Sequence, residues 1–180
     1  MYVTQSTRLS YRLMEDSDAE FLYQLDQDPE VMRYINGGNK TSREDIHNII
    51  LPRMHCYKNS DKGWGKWKVT VIETQQDIGW IIVRPMDFFS TTVEPQWNNL
   101  ELGWRFFQSS WGKGYASEAA KHLMSALLTQ TPDLTFSAIA NEVNDASINI
   151  MKKLGMRYVK TYLHSDPLGD CDVVLYQIAS

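Results

Sequence analysis

The sequence predicts an α/β layered domain, a mixed sheet with helices packed on its faces. Two hydrophobic periods interleave along the chain, one of two residues and one of 3.6, in the order β-ααα-βββ-α-β-α-ββ. The 180 residues are 43% hydrophobic and 22% charged, which suits one soluble domain with a full core. No internal repeat, low-complexity tract or linker divides the chain.

Arg8 to Met14 alternates as a strand does, with Leu9, Tyr11 and Leu13 on one face. Residues 16–27 read as a helix opened by Asp16 or Ser17, with Ala19, Leu22 and Leu25 inward. Pro29 begins a second short helix, PEVMRYI, which Gly37 and Gly38 close. Thr41 or Ser42 caps a third, carrying Ile46, Ile49, Ile50 and Met54, and Pro52 should kink or split it. Strands follow at Trp67 to Glu73 and Ile78 to Arg84, with Gln75, Gln76 and Asp77 as the hairpin turn. Residues 85–98 read as a loop, long enough to expect a functional role.

Leu100 to Phe107 is predicted as a strand and Gly112 to Leu128 as a helix, with Ala116, Ala119, Ala120, Leu123 and Leu127 inward. Leu134 to Ala140 is the next strand. Asn144 or Asp145 caps a helix that ends at Leu154 and Gly155, with Lys152 and Lys153 where the dipole favours cations. Two strands finish the chain, Arg157 to His164 and Cys171 to Ile178, separated by turn residues Asp166, Pro167 and Gly169.

Composition excludes several roles. A net charge of −4 and a pI near 5.5 argue against binding nucleic acid through phosphate contacts. No run of about 18 uncharged apolar residues predicts a membrane span. The segment MYVTQSTRLSYRL lacks the apolar stretch of a secretion signal, so a cytoplasmic location is expected. Cys56 and Cys171 are too few for an oxidised scaffold and are expected to be reduced; neither lies in an activating motif. His47, His55, His122 and His164 show no metal spacing and are expected on the surface or in the core, so no metal is expected. The six tryptophans, Trp64, Trp67, Trp80, Trp97, Trp104 and Trp111, are expected mostly in the core or an interface.

The stretch LELGWRFFQSSWGKGYASEAAKHLMSALL is the most informative in the chain. A strand runs into a glycine turn that opens a helix. Such a turn aims free backbone N–H groups and the positive end of the helix dipole at one place, where a diphosphate fits. It is not a Walker A loop, because no Gly-Lys-Ser/Thr follows. It is not a dinucleotide fingerprint, because Ser117 stands at the third glycine position. The glycines alone are equally consistent with an ordinary tight turn.

Taken together, ELGWRF, WGKGYASEA, the Asn-Asp-Ala-Ser of residues 144–147 and KKLGM resemble the GNAT superfamily of acetyl-CoA-dependent N-acetyltransferases. The nearest branch is the one holding the ribosomal-protein N-terminal acetyltransferases, which TxRLSYR and DPEVMRYI also resemble. The likeness runs over roughly residues 4–178. It implies a mostly antiparallel sheet of six or seven strands, with a V-shaped splay between two parallel central strands, here 100–107 and 134–140.

The resemblance implies that the turn from Trp111 through Gly112, Lys113, Gly114 and Tyr115 to Ala116 cradles the coenzyme A pyrophosphate. Arg105, Lys113 and Lys153 become candidate phosphate neighbours. Ser109 stands where the family pattern has Gln or Arg, which removes one side-chain contact. The backbone of Trp104 and Phe106, with Asn144 and Ser147, would meet the pantetheine arm. For Asn144 and Ser147, helix capping alone is the competing reading.

The same likeness makes Glu101 the candidate base, acting directly or through a water, or else a residue that only orients substrate or makes a structural hydrogen bond. Met151 stands where many relatives have a tyrosine acid, so Ser147 becomes the candidate donor to the leaving thiolate. Acetyl-CoA is the implied donor and a primary amine the acceptor, a peptide N-terminus, polyamine or antibiotic. A homodimer is an option the sequence leaves open.

Glu15, Asp16, Asp18, Glu20, Asp26, Asp28 and Glu30 fall in one stretch with no basic residue. They either favour a cationic acceptor or form a solvated face. Two rival readings remain: a catalytically silent acyl-CoA-binding module, and a nucleotide-binding domain that uses the same turn.

Overall fold

Seven strands form one sheet in the order β1-β2-β3-β4-β5-β7-β6 in this computed structural model, which describes residues 1–166 and 169–179. The strands are β1 (Leu9–Leu13), β2 (Gly65–Val71), β3 (Asp77–Met86), β4 (Gln96–Phe106), β5 (Thr135–Asn141), β6 (Arg157–Asp166) and β7 (Gly169–Ala179). Pro167, expected in the last turn, lies outside the described residues. Every neighbouring pair is antiparallel except β4 and β5.

That parallel pair is short. It joins Asn99 to Thr135, Leu100 to Phe136 and Glu101 to Ser137, and goes no further. Both strands continue, β4 to Phe106 against β3 and β5 to Asn141 against β7. The sheet is therefore forked above Glu101, with two unjoined edges facing one another. A row of buried polar side chains fixes the closed end. Ser137 donates to Asn99 Oδ1 at 2.8 Å, and Gln177 donates to Ser137 at 3.1 Å. Ser137 is fully buried and Asn99 nearly so.

Strand alternation explains why β3 reads as an unbroken apolar run. Trp80 and Ile82 face a cluster with Met14, Leu22, Leu25, Ile46 and Met54. Ile81 and Val83 face the opposite cluster with Leu102, Ala119, Leu123 and Met151. A strand covered on both faces needs apolar residues on both. The first cluster holds α1 (Ala19–Leu25), α2 (Pro29–Asn36) and α4 (Leu51–Tyr57), with Ile46 supplied by the turn after α3 (Arg43–Asp45), which buries no residue of its own. The second holds α5 (Tyr115–Gln130) and α6 (Asp145–Lys153).

Several predicted boundaries move. The first predicted helix is a 3-10 turn at Asp16–Asp18 followed by α1, because Asp18 turns inward to accept from Glu15 N–H and to bind Arg12 and Lys68. Ser42, not Thr41, caps the third helical segment. Its path through Pro52 is a π-turn at Ile46–Ile50, which widens the backbone just before the residue that has no N–H to give. β2 ends at Val71 and Asp77 already belongs to β3, so the turn falls earlier than predicted. β4 begins at Gln96, because a register shift after Pro85 lets Met86 pair with Gln96. The long loop shrinks to 87–95. α5 starts at Tyr115 rather than Gly112, since Gly112 and Gly114 are left-handed and cannot continue a right-handed helix.

Candidate active site

A cleft of about 580 Å³ opens where β4 and β5 part. Its floor includes Glu101, and its walls include Trp104 and Phe106 on one side and Asn141, Asn144 and Ser147 on the other. Gly112, Gly114, Tyr115, Ala116 and Ser117 form one end.

The edge of β4 that faces the cleft can be identified from its pairing. Phe107 donates its N–H to Ile78 of the neighbouring β3 at 2.9 Å. The Arg105 carbonyl also points there, since a Cβ on Gly79 would lie 2.4 Å from it. Backbone groups alternate sides along a strand, so the amides of Trp104 and Phe106 point into the fork. The Phe106 carbonyl accepts from the Trp111 indole at 2.9 Å, which ties the following loop to the strand end.

No side chain caps the N-terminus of α5. Gly112 has φ +74 and Gly114 φ +79, and a Cβ on Gly112 would meet nothing within 4 Å. Glycine is needed there for its backbone angle, not for lack of room. Arg8 braces this loop. It donates to the Lys113 carbonyl at 3.0 Å, pairs with Glu118 at 2.7 Å and lies 4.6 Å from the Tyr115 ring centre.

The other lip is the start of α6. Asn144 caps it by accepting from the Ser147 N–H at 3.1 Å. Ser147 Oγ accepts the indole N–H of Trp104 at 3.2 Å, so one hydrogen bond spans the fork. Ala146, Asn149, Ile150 and Lys153 also line the cleft, at the i, i+3, i+4, i+7 spacing of one helix face. Asn149 was not anticipated, although its spacing from Lys153 marked that face.

Glu101 is 7% exposed and pairs with Arg84 through both oxygens, at 2.8 and 2.9 Å. Arg84 was not singled out in the sequence; nothing local distinguishes it, and its partner is on the next strand. Lys153 lines the cleft, whereas Lys113 is exposed and does not. Arg105 lines the cleft and is already partnered. Its guanidinium pairs with buried Asp26 at 2.5 Å, on the opposite face of the sheet from the glycine loop. Met151 is fully buried in the core.

The acidic stretch is largely consumed by partners. Asp18 binds Arg12 and Lys68, Asp26 binds Arg105, Glu20 binds Arg43, Asp16 binds His55 and Glu15 binds Lys58. Asp28 caps α2. Of the seven, Glu30 alone lines the cleft. Burial pushes the Asp18 carboxyl up, but hydrogen bonds from Arg12, Glu15 N–H and Lys68 outweigh it and hold it at about 2. Beneath this layer lies half-buried Lys66, 4.7 Å from the Trp80 ring centre. Burial first, then the nearby Arg105 charge, brings its amine down to about 7.

His164 and Cys171 face each other across β6 and β7 and both line the cleft, a placement that no local motif signals. Among the described residues, no group of three His, Cys, Asp or Glu is placed to hold a metal ion. No helix there is long and apolar enough to cross a membrane.

The donor set suits coenzyme A. Uncapped N–H groups at the start of α5 fit a diphosphate, and the cleft-facing amides of Trp104 and Phe106 fit an amide-bearing arm. Comparison with known proteins agrees. A family model described as an acetyltransferase (GNAT) domain matches residues 8–157. The uncharacterized N-acetyltransferase YnaD of Bacillus subtilis (strain 168) is 30% identical over 172 residues, covering 94% of this chain and 91% of that protein. The crystal structure of a GNAT-family acetyltransferase from Bacillus anthracis superposes with a TM-score of 0.75 at 25% identity, covering 99% of this chain and 98% of the other. RimL, a ribosomal L7/L12 alpha-N-protein acetyltransferase solved with coenzyme A, shares the fold with a TM-score of 0.74 at 15% identity, covering 98% and 97%.

Proposed function

This chain belongs to the GNAT acetyltransferase family and is an N-acetyltransferase, and on that premise we propose that it acetylates a monoamine such as a peptide N-terminus by direct transfer in a ternary complex. One observation carries the reading. The fork above Glu101 opens beside an α5 N-terminus that no side chain caps, so a diphosphate and an extended arm can be held together.

Acetyl-CoA, when bound, would supply an acetyl group activated as a thioester. The chain's residues do the rest. The loop amides from Gly112 to Ala116 bind the pyrophosphate, with Lys153 at hand for its charge. The amides of Trp104 and Phe106 pair with the arm and place the carbonyl over the β4 edge. A backbone N–H there stabilises the developing oxyanion. Asn144 holds the first turn of α6, and Ser147 donates a hydrogen bond to the sulfur.

Glu101 orients the acceptor. Arg84 occupies one lone pair on each of its oxygens, and a carboxylate oxygen has a second to offer an amine N–H. The paired state of the acidic stretch favours a monoamine. A polyamine needs several unpaired carboxylates, and the two carboxylates that line the cleft are both paired, Glu30 with Arg33 and Glu101 with Arg84.

Thiol release from acetyl-CoA against peptides, amino acids, polyamines and antibiotics tests this. Turnover with peptides or other monoamines supports it; turnover confined to polyamines refutes the acceptor assignment. Binding of coenzyme A with no turnover on any amine would instead mark a silent acyl-CoA module. An orienting Glu101 predicts that Glu101→Gln raises the acceptor KM, whereas a basic one predicts a fall in kcat of about 10²-fold or more.

A further inference from the structure

We propose that Trp104 is a positioning residue for the transfer, its indole N–H fixing the Ser147 hydroxyl so that the serine proton faces the sulfur in the cleft. The inference rests on the coenzyme A site proposed above and adds a residue to it.

An indole nitrogen only donates, so in the 3.2 Å contact Ser147 Oγ must be the acceptor. Its own proton therefore points elsewhere. The Ser147 N–H is already committed to Asn144 at 3.1 Å, which holds the residue in the first turn of α6. Trp104 and Ser147 both line the cleft from opposite lips. A serine held between these two partners presents its remaining hydrogen to the space between the lips. Accepting one hydrogen bond also makes a hydroxyl a stronger donor in the next.

The bookkeeping of the step is simple. The carbon–sulfur bond breaks and the nitrogen–carbon bond forms. The nitrogen gives up one proton and the sulfur ends with one, through water. Ser147 keeps its own proton and lends the sulfur a hydrogen bond while negative charge builds there. Trp104 touches no reacting atom with its indole and acts only through Ser147.

Coenzyme A binding tests this without turnover. Its alkanethiol ionises only in alkaline solution, above the ~8.5 of a cysteine, so a donor aimed at sulfur should favour the thiolate. Calorimetry at about pH 6.5 and about pH 9.5 should show wild-type affinity rising several-fold with pH. Trp104→Phe and Ser147→Ala should each lose most of that rise. In steady-state assays, Trp104→Phe should lower kcat about tenfold with the acetyl-CoA KM nearly unchanged.

The double variant should match Ser147→Ala, since the indole N–H acts only through the Ser147 hydroxyl and Trp104→Phe keeps the backbone amide. Independent effects that multiply in the double variant would overturn the proposal. So would a Trp104→Phe protein with wild-type kcat and pH dependence. The indole N–H resonance of Trp104 in ligand-free protein should also shift in Ser147→Ala, and an unmoved resonance would remove the bond itself. If wild-type protein bound no coenzyme A at any pH, the coenzyme A site would fail first, and this inference with it.

Discussion

Replacing Gly112 by alanine is the sharpest probe of the phosphate loop. The new methyl group would meet no atom within 4 Å, so steric collision contributes nothing. What remains is the cost of holding a non-glycine residue at φ +74, about 1–2 kcal/mol. The loop can respond in two ways. If it keeps its shape, the apo protein loses that amount, a fall of about 2–4 °C in Tm per kcal/mol at this chain length. If it relaxes, the apo protein is spared, and coenzyme A binds about five- to thirty-fold more weakly.

The two losses sum to the same total, so the complex is always destabilised. Gly37 supplies the control. It has the same φ of +74 and the same empty surroundings, but it closes α2 and does not line the cleft. Gly37→Ala should lower Tm alike and leave coenzyme A affinity alone. Melting curves with and without coenzyme A, together with calorimetry, measure both terms. Unchanged Tm and unchanged affinity in Gly112→Ala would show that the loop does not hold ligand in this backbone conformation.

Other expectations are simpler to read. Asp18, held at about 2 against an ordinary value of 3.8, adds stability that is full above about pH 4 and lost as pH falls through about 2. The amount is roughly 2 kcal/mol, and Asp18→Asn should remove that acid dependence in urea titrations. Lys66 runs the other way. The unfolded chain binds more protons between about pH 7 and its ordinary 10.5, so stability should climb with pH across that window. Lys66→Met should flatten the climb and raise Tm at neutral pH, as melting curves over that range would show. Neutralising Glu15, Asp16 and Glu20 together should leave the acceptor KM unchanged at low and high salt, because each already faces a cation away from the cleft. A salt-sensitive rise in KM would restore a role for the acidic stretch.

What the sequence made legible was local. The Asn144 cap, the glycine ending α6 and the Pro29 start of α2 each follow from one residue's backbone preference, and each stands where expected. The seven strands followed from period-two patterning, although β4 began earlier because its first residues pair across a register shift that no periodicity records. The fork followed from family likeness, not from pattern. Long-range side-chain pairing was invisible. Asp26 finds Arg105 across 79 positions, and Glu101 finds Arg84 on the adjacent strand. Those partners turned an apparently acidic surface into an internally neutralised layer. The Trp104 to Ser147 bond was hidden for the same reason, with its two ends 43 positions apart.

The polar row beneath the fork has a consequence for how ligand is received. Pulling β5 further from β4 would strip the Ser137 hydroxyl proton and the Asn99 amide oxygen of their shared hydrogen bond inside the core, at about 1–3 kcal/mol for each group. The strands are thus riveted at a fixed depth before anything arrives. An incoming arm finds its slot ready made and spends none of its interaction energy prising the sheet apart.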